Sequence, residues 1–317
     1  MEQVNMKAKL DQIPVERIRP NPENPRIMFR QGELDELQES IRLYGIQVPI
    51  AVYKESDHYV LIDGERRWRC ASKLNKKTIP ALIQDKPSPL QNLLLMFNIH
   101  SLREQWDLLT IALKLPAVID LLRKEHGSDP KEADISAATG LSRGVIRRCK
   151  LLIELPKQYK DMLLEELRKP KSKQRLSEDF FIEMEKALKT VSRAMPDIIP
   201  DRDKARKVLL DKYSSEIIPN IVDLRKIGKI ARAETVGADA NTARKALIRL
   251  FSDKKYTIDA AFTDTVSEQY TERDILTRIE GLLIRLEDVE IESIDDDVRK
   301  RLQELIERAQ TILEGLE

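Results

Sequence analysis

The residues best suited to chemistry form one short run, Asp63–Cys70 (DGERRWRC). Gly64 lets the main chain approach a ligand closely, and a helix that begins beside it presents unpaired N–H groups and a partial positive charge. Arg66, Arg67 and Arg69 add guanidinium groups whose donors suit phosphate oxygens. The run therefore predicts a cradle for a nucleotide or another polyphosphate. The alternative is the solvated basic face of an ordinary helix, since exposed arginines are common on helices.

The elements on either side must position this run. Residues 58–62 predict a buried strand, and residues 71–75 continue the helix that carries the arginines. Residues 1–12 are expected to be a loose lead-in. The other elements predicted before residue 85 are an edge strand over 13–18 with Pro14 at its start, strands over 48–53 and 78–83, and a helix over 33–41 that Gly45 ends.

A proline-rich loop follows the first predicted strand. Four prolines lie between residues 14 and 25, and they favour an extended, preorganised segment because proline fixes φ and cannot continue a helix. Arg26 at its end faces either a ligand or solvent. Together these elements predict a compact α/β domain at the N-terminus.

Composition favours a soluble, helix-rich protein of two or three domains. Of the 317 residues, 34% are charged and only 5% aromatic, which is more typical of a helical chain than of a β-sandwich. Cys70 and Cys149 are too few for a disulfide framework or a zinc site, and a reducing cytoplasm is the expected setting. No apolar run is long enough to cross a bilayer, and the first residues lack the apolar core of a signal peptide.

A second functional candidate lies within residues 132–152. Helices are predicted before it over 90–100, over 106–115, and from Pro116 to residue 124. Gly140 then supplies a turn between two short helices, and Ser142 caps the second one. No acidic residue occurs from 143 to 150, so this helix suits the DNA major groove, with its charge against phosphates. The predicted DNA-binding residues are Ser142, Arg143, Arg147, Arg148 and Lys150. The alternative is an ordinary helical hairpin with a basic surface and Cys149 in its core.

Only helical patterns follow the basic polar linker at 168–177. Helices are predicted over 179–192, 201–212, 219–233 and 239–251. Gly237 breaks the last two apart and Asp239 caps the final one, so this stretch could hide a second helix-turn-helix, although its pattern is weak.

The net charge of the chain becomes negative towards its C-terminus. Residues 273–289 and 294–316 predict two amphipathic helices, with Ser293 as the N-cap of the second. Over 280–317, twelve acidic residues stand against five basic ones, a net charge of −7. An acidic helical hairpin repels DNA and suits self-association or a protein partner. The alternative is that it packs on its own domain.

The order and spacing of these segments over residues 13–164 resemble the ParB family of bacterial and plasmid partition proteins. The segments that carry the resemblance are Ile18–Pro22, Pro25–Arg26, Leu37–Ile41, Gly45–Ile50, Gly64–Arg69, the helix-turn-helix, and Leu151–Pro156. The resemblance implies a ParB/sulfiredoxin-like α/β domain that binds CTP, a central domain that binds a specific DNA site, and a dimeric clamp that slides on DNA. The implied nucleotide-binding residues are Gly45, Ile46, Gln47, Pro49, Gly64, Glu65, Arg66, Arg67, Arg69 and Asn98.

One departure from the family pattern bears on catalysis. Members carry Glu-Asn-(apolar)-Gln-Arg after the nucleotide domain, where the Glu and Asn help to hold Mg²⁺ and the triphosphate. This chain has Phe97–Ser101 there, so Asn98 is kept but Phe97 replaces the carboxylate that Mg²⁺ prefers. CTP hydrolysis and Mg²⁺ binding are therefore open, with Arg103 or Glu104 one turn on as substitutes. No catalytic residue or metal ligand is assigned. Glu65 stands where related sulfiredoxins have a cysteine, so thiol chemistry is not supported.

The sequence thus predicts a multidomain protein. Its α/β N-terminal domain spans 1–89, a helix-turn-helix domain 90–168, a helical middle region 169–270, and the acidic hairpin 271–317. The predicted function is a CTP-gated dimeric clamp on double-stranded DNA in plasmid or chromosome partition. The expected partners are a second copy of the chain and a partition ATPase, and no contact with a membrane is expected. The protein is expected to be cytoplasmic and associated with the nucleoid or a plasmid. The alternatives are a helix-turn-helix transcription regulator and a nucleotide-dependent small-molecule kinase on the same N-terminal fold.

Overall fold

The computed structural model describes residues 8–24, 31–101, 107–287, 289 and 294–315, without the side chains of 98–101. The chain divides into two compact units, residues 1–186 and 187–317, and the division falls within the helix Glu178–Ala194. The predicted class is confirmed, since an α/β N-terminal part is followed by a mainly helical chain. The finer division into four parts stays a prediction.

A five-stranded mixed sheet forms the base of the first unit. The strands are β1 Lys9–Pro14, β2 Ile18–Arg19, β3 Ile50–Glu55, β4 His58–Asp63 and β5 Thr78–Gln84. Their order is β1-β5-β3-β4-β2, with antiparallel pairs β1–β5 and β3–β4 and parallel pairs β3–β5 and β2–β4. Fully buried Ile18, Ile50 and Val52 belong to the core against which Trp68 packs.

The first strand lies earlier than the sequence predicted. Residues 9–12, expected to be loose, pair with residues 80–83 of β5. Pro14 ends β1 instead of opening a strand, and residues 15–17 form a 3-10 turn. The prediction was wrong because residues 9–12 are all exposed on an edge strand, so they carry no buried alternation for a pattern to detect.

Eight α-helices begin among the described residues of the first unit. They are α1 Gln31–Tyr44, α2 Glu65–Lys73, α3 Pro89–Ser101, α4 Leu108–His126, α5 Glu132–Thr139, α6 Arg143–Ile153, α7 Lys157–Arg168 and α8 Glu178–Ala194. Pro116 lies inside α4, so the helix predicted to begin there is wrong. Leu115 and Val118 beside it are fully buried, and this burial offsets the hydrogen bond that proline cannot donate.

The helices that begin in the second unit are α9 Arg202–Ser214, α10 Leu224–Ile230, α11 Ala240–Ser252, α12 Ile258–Thr263, α13 Ser267–Glu287 and α14 Asp296–Glu314. The single helix predicted over 219–233 is broken, because 3-10 turns flank α10 at Ile221–Asp223 and Ala233–Val236. Ser293 lies outside the described residues, and the N-cap role assigned to it is wrong. Asp295 fills it, its carboxylate accepting the Asp297 N–H at 3.3 Å. Among the described helices, none is long and apolar enough to cross a membrane.

Candidate functional site

The turn at Gly64 sets the geometry of the arginine-bearing helix. Gly64 has φ +93°, in the left-handed region that favours glycine. A Cβ added there would lie 2.6 Å from Ile50 Cγ2 and 2.9 Å from an Arg67 terminal nitrogen. The Gly64 carbonyl accepts the Trp68 N–H at 3.0 Å, which closes the first turn of α2. The chain therefore passes from β4 into α2 with its arginines in the first two turns.

Arg67 connects the end of the sheet to the loop at 45–49. One terminal nitrogen donates to the carbonyls of Val48 and Pro49 at 2.8 and 3.0 Å. The other donates to Asp63 Oδ2 at 2.7 Å. The side chains of Arg67 and Asp63 are each only 14% exposed, so this is a largely buried ion pair. Arg67 is thus committed to protein acceptors and holds two parts of the predicted site together.

Arg66 and Arg69 face different partners. Arg66 donates to the Glu33 carbonyl at 2.9 Å and lies 3.5 Å from the Glu33 carboxylate. Its buried Nε has no hydrogen-bond partner among the described residues. Arg69 donates from Nε and a terminal nitrogen to Glu65 Oε1 at 2.9 and 2.6 Å. The other Glu65 oxygen accepts from Asn24 Nδ2. The three arginines therefore each meet a carboxylate, and Arg66 alone of them leaves a buried donor unsatisfied.

The loop at 45–49 begins at a helix end. Gly45 has φ +72° and donates to the Ile41 carbonyl at 3.0 Å, which confirms it as the end of α1. Ile46 packs against the core, and the Gln47 amide donates to the Tyr44 carbonyl. The structure thus brings this loop, Gly64 and Arg67 together.

On α3, Phe97 is fully buried. The position where the resemblance leads one to expect a carboxylate is therefore part of the core, and a charged group there would be costly. The Asn98 and His100 side chains lie outside the described residues, as do Pro25, Arg26, Arg103 and Glu104. Among the described residues, no group of three or more His, Cys, Asp or Glu side chains could hold a metal ion.

A buried asparagine pair at this end of the domain was missed from the sequence. Asn21 and Asn92 are 4% and 7% exposed, and Asn21 Nδ2 donates to Asn92 Oδ1 at 3.0 Å. Asn21 Oδ1 also accepts the Glu23 N–H at 3.0 Å. The pair ties the proline-rich loop to α3. Its one signal in the sequence is the polar Asn92 close to the apolar Leu93–Phe97 run.

An open cleft of about 430 Å³ borders the same helix. It is lined by Pro20, Gln31, Leu34, Trp68, Arg69, Ser72 and Lys73. Of the predicted nucleotide-binding residues, this cleft contains Arg69.

The second candidate folds locally as predicted. Gly140 ends α5 with φ +73°, and Ser142 Oγ accepts the Val145 N–H at 3.3 Å at the start of α6. Ile146 and Cys149 are fully buried on the inner face of α6, and Val145 is half-buried. Helix, turn and helix lie where the sequence placed them. Their assignment to DNA binding stays a prediction.

Acidic side chains already meet the basic face of α6. Arg147 Nε and Lys150 Nζ lie 2.9 and 3.5 Å from the two oxygens of Glu132. The hydrogen bond from Arg147 lowers the pKa of that carboxyl. Arg148 pairs with Asp179. Exposed pairs of this kind are weak, so phosphate oxygens can replace the carboxylates.

Two titratable groups with raised pKa values are Cys149, on the inner face of α6, and the half-buried Glu178 at the start of α8. Burial raises the pKa of the Cys149 thiol to about 12, so the residue behaves as a small core side chain. Burial also raises the pKa of the Glu178 carboxyl to about 7, and this carboxylate accepts the Leu109 N–H at 2.6 Å. The fully buried Cys149 thiol does not reach the outer face of α6.

The first part of the chain is similar to known proteins. Residues 1–97 match the ParB N-terminal domain. A nucleoid occlusion protein of Listeria monocytogenes is 29% identical over 158 residues, which are 49% of this chain and 53% of that protein. The chromosome-partitioning protein ParB of Myxococcus xanthus is 40% identical over 79 residues, 25% of this chain and 27% of that protein. The chain thus spans about half the length, or less, of these curated relatives.

A similar solved structure is C-terminally truncated ParB from Caulobacter crescentus complexed with CTP-γ-S. It is 27% identical, covers 50% of this chain and 86% of its own, and has a TM-score of 0.29. The resemblance predicted from the sequence is confirmed by the family match and the curated relatives.

The role of Arg67 can be tested by its removal. Arg67→Ala is expected to lower the free energy of unfolding by about 2–3 kcal/mol, because Asp63 and two loop carbonyls lose their donor in a largely buried setting. Urea unfolding followed by circular dichroism measures this. The matched control is Arg42→Ala, which removes an exposed pair with Glu39 and is expected to leave the midpoint unchanged. Equal midpoints for the two variants would show that Arg67 does not hold the site together.

Proposed function

We propose that the chain is a DNA-binding partition or nucleoid occlusion protein, since residues 1–97 match the ParB N-terminal domain and the curated relatives are proteins of these two kinds. The observation that carries the proposal is the basic helix α6. It follows a glycine turn and a serine cap in the same compact unit as the ParB domain. Nucleoid or plasmid association and a partition ATPase as partner are part of the same proposal.

The charge on α6 supports contact with a polyanion. Its four basic residues face two carboxylates, Glu132 and Asp179, so the cluster keeps a net positive charge. Arg147 and Lys150 share Glu132, and Arg143 has no ion pair among the described residues. Phosphates would take over from the two carboxylates, while the first turn of α6 meets base edges in the major groove.

Neutralising two of these charges tests the DNA surface. Arg143→Gln/Arg147→Gln is expected to weaken binding to duplex DNA and to lower the slope of log K against log [salt] by about 2, since each lost phosphate contact removes about 0.9. Fluorescence anisotropy at several salt concentrations measures both. Arg123→Gln, on α4 and half exposed, is the matched control and should leave the slope unchanged. An unaltered slope in the double variant, or an equal loss in the control, contradicts the assignment.

We also propose that the N-terminal end of α2 binds the triphosphate of CTP. Two observations support a fit to an anion. They are the left-handed turn at Gly64, where α2 begins, and the buried Arg66 Nε, which has no partner in the part of the chain that the structure describes. Arg66 and Arg69 would exchange Glu33 and Glu65 for phosphate oxygens. The loop at 45–49 would border the base, and Asn98 would add a contact from α3.

The proposed role of the nucleotide is to gate a dimeric clamp on DNA. Bound CTP would supply the negative charge that draws Arg66 and Arg69 away from their carboxylates. The proposal contains no hydrolytic step and no Mg²⁺ site, because Phe97 occupies the core at the position of the expected carboxylate.

Calorimetric titration tests the nucleotide site. CTP is expected to bind in preference to ATP and GTP, and Arg66→Ala is expected to abolish the heat of binding without loss of helical circular dichroism. Arg42→Ala, an exposed arginine on α1, should bind as the wild type does. Unchanged CTP affinity in Arg66→Ala removes the assigned cradle. If no triphosphate binds the wild type, the nucleotide part of the proposal fails and the DNA surface of α6 stands alone.

We further propose that α13 and α14 bind a second copy of the chain. Neither helix has a buried residue. The apolar residues Leu276, Ile279, Leu283 and Leu286 on α13, and Leu302, Leu305, Ala309 and Ile312 on α14, recur at alternating spacings of three and four. That repeat creates a coiled-coil seam, which is satisfied by another helix with the same repeat. Ile279 and Ile312 are 47% and 57% exposed, so the seam is open in the single chain.

Charged substitutions in the seam test self-association. Ile279→Glu/Ile312→Glu is expected to convert dimers to monomers in sedimentation velocity, because each carboxylate would have to be buried at the interface. Leu43→Glu on α1, where the leucine is 57% exposed, is the matched control and should stay dimeric. Dimers that persist in the seam variant, or a monomeric wild type, exclude this interface.

A further inference from the structure

A second pair of helices, α10 and α11, lies at residues 224–252, and the 3-10 turn Ala233–Val236 stands between them. The three residues before α11 repeat the pattern of the three residues before α6. Gly140 and Gly237 have φ +73° and +77°. The residue after each glycine is buried: Leu141 is 6% exposed and Ala238 8%. The next residue is the N-cap in both, so glycine, buried residue and cap follow one another identically at the two places.

The two N-cap residues, Ser142 and Asp239, also accept equivalent hydrogen bonds. Ser142 Oγ accepts the N–H of Val145 at 3.3 Å, and Asp239 Oδ2 accepts the N–H of Thr242 at 2.7 Å. In each case the donor lies three residues after the cap. The positions four and seven after the cap are buried in both helices, as Ala243 and Ala246 show in α11. From the glycine onward, the start of α11 therefore repeats the local structure of the start of α6.

The outer face of α11 is basic, as that of α6 is. No Asp or Glu occurs from residue 240 to 252. Lys245 is exposed and has no ion pair among the described residues, whereas Arg244 pairs with Asp197 and Arg249 lies 3.5 Å from Asp253. The pairs of Arg244 and Arg249 include half-exposed or exposed side chains and are weak enough to yield to phosphate.

The first turn of α11 adds hydrogen-bonding groups to that charge. Asn241 and Thr242 are exposed there. Asparagine can pair with both edge groups of adenine in the major groove, and the first residues of a recognition helix are those that reach base edges. The carboxylate of Asp239 is engaged by the N–H and hydroxyl of Thr242, so it is directed back onto the helix.

We propose that α11 is a second DNA-contacting helix, and that it binds duplex DNA independently of α6. Asn241 would face base edges, and Lys245 would contact phosphate. A chain with this arrangement holds DNA through two surfaces in two separate compact units. One protein could then engage two duplex segments or a longer stretch of one duplex.

DNA binding by the full-length chain, with the basic residues of α6 substituted, tests whether α11 binds DNA. In the Arg143→Gln/Arg147→Gln background, duplex DNA is expected to bind measurably at low salt. Adding Asn241→Ala/Lys245→Gln should lower that residual affinity about tenfold and reduce the salt slope by about 1. Adding Lys207→Gln, an exposed lysine on α9, is the matched control and should change neither. Fluorescence anisotropy gives both quantities, and circular dichroism confirms that the variants fold.

Two results would overturn the proposal. One is the absence of residual binding at low salt when α6 is disabled. The other is residual binding that does not respond to the α11 substitutions, or that the control lowers equally. The wild-type background with only the α11 substitutions gives an independent measure, so failure of the α6 assignment is distinguishable from failure of this one.

Discussion

The hydrogen bonds of Arg67 are the constraint on which the N-terminal site depends. Arg67 joins Asp63, at the end of β4, to the carbonyls of Val48 and Pro49. These bonds fix where α2 begins relative to β4 and the loop at 45–49. The left-handed turn at Gly64 allows α2 to begin there, and a side chain at this position would meet Ile50. An anion at this end would find the loop and the helix already assembled. It would therefore need to displace only the carboxylates of Arg66 and Arg69, which limits the reorganisation that binding requires.

Local signals made part of this structure predictable from the sequence. Gly45 and Gly140 end their helices and Ser142 caps the next one, since each depends on residues within four positions. The arginine partners were not predictable, because Arg67 meets carbonyls 18 and 19 residues away and Arg148 meets Asp179 31 residues away. Such contacts arise only when distant segments pack, and long charged side chains leave no periodic signature of them.

The two glycine turns show how a short local pattern can recur where the rest of the sequence differs. At Gly140 and Gly237 a left-handed residue reverses the chain, a buried residue anchors it, and a cap starts the next helix. The pattern specifies the turn, whereas the side chains after the cap specify what the helix can contact. At α11 small alanines replace the larger core residues of α6. Because alanine is only weakly apolar, the helical pattern of residues 224–252 is harder to recognise in the sequence than that of residues 132–153.

The proposed DNA-binding helix α6 is basic, whereas the end of the chain that contains the proposed dimer helices is acidic. The whole chain has a net charge of +1, although residues 280–317 carry −7, so the remaining chain is basic. The cations on α6 are held by Glu132 and Asp179, exposed pairs that cost little to exchange. Affinity for DNA through α6 would then come from replacing carboxylates by phosphates and from counterion release, which makes it reversible and dependent on salt. The acidic seam helices repel the same phosphates, so duplex DNA would not be drawn to their exposed apolar stripes.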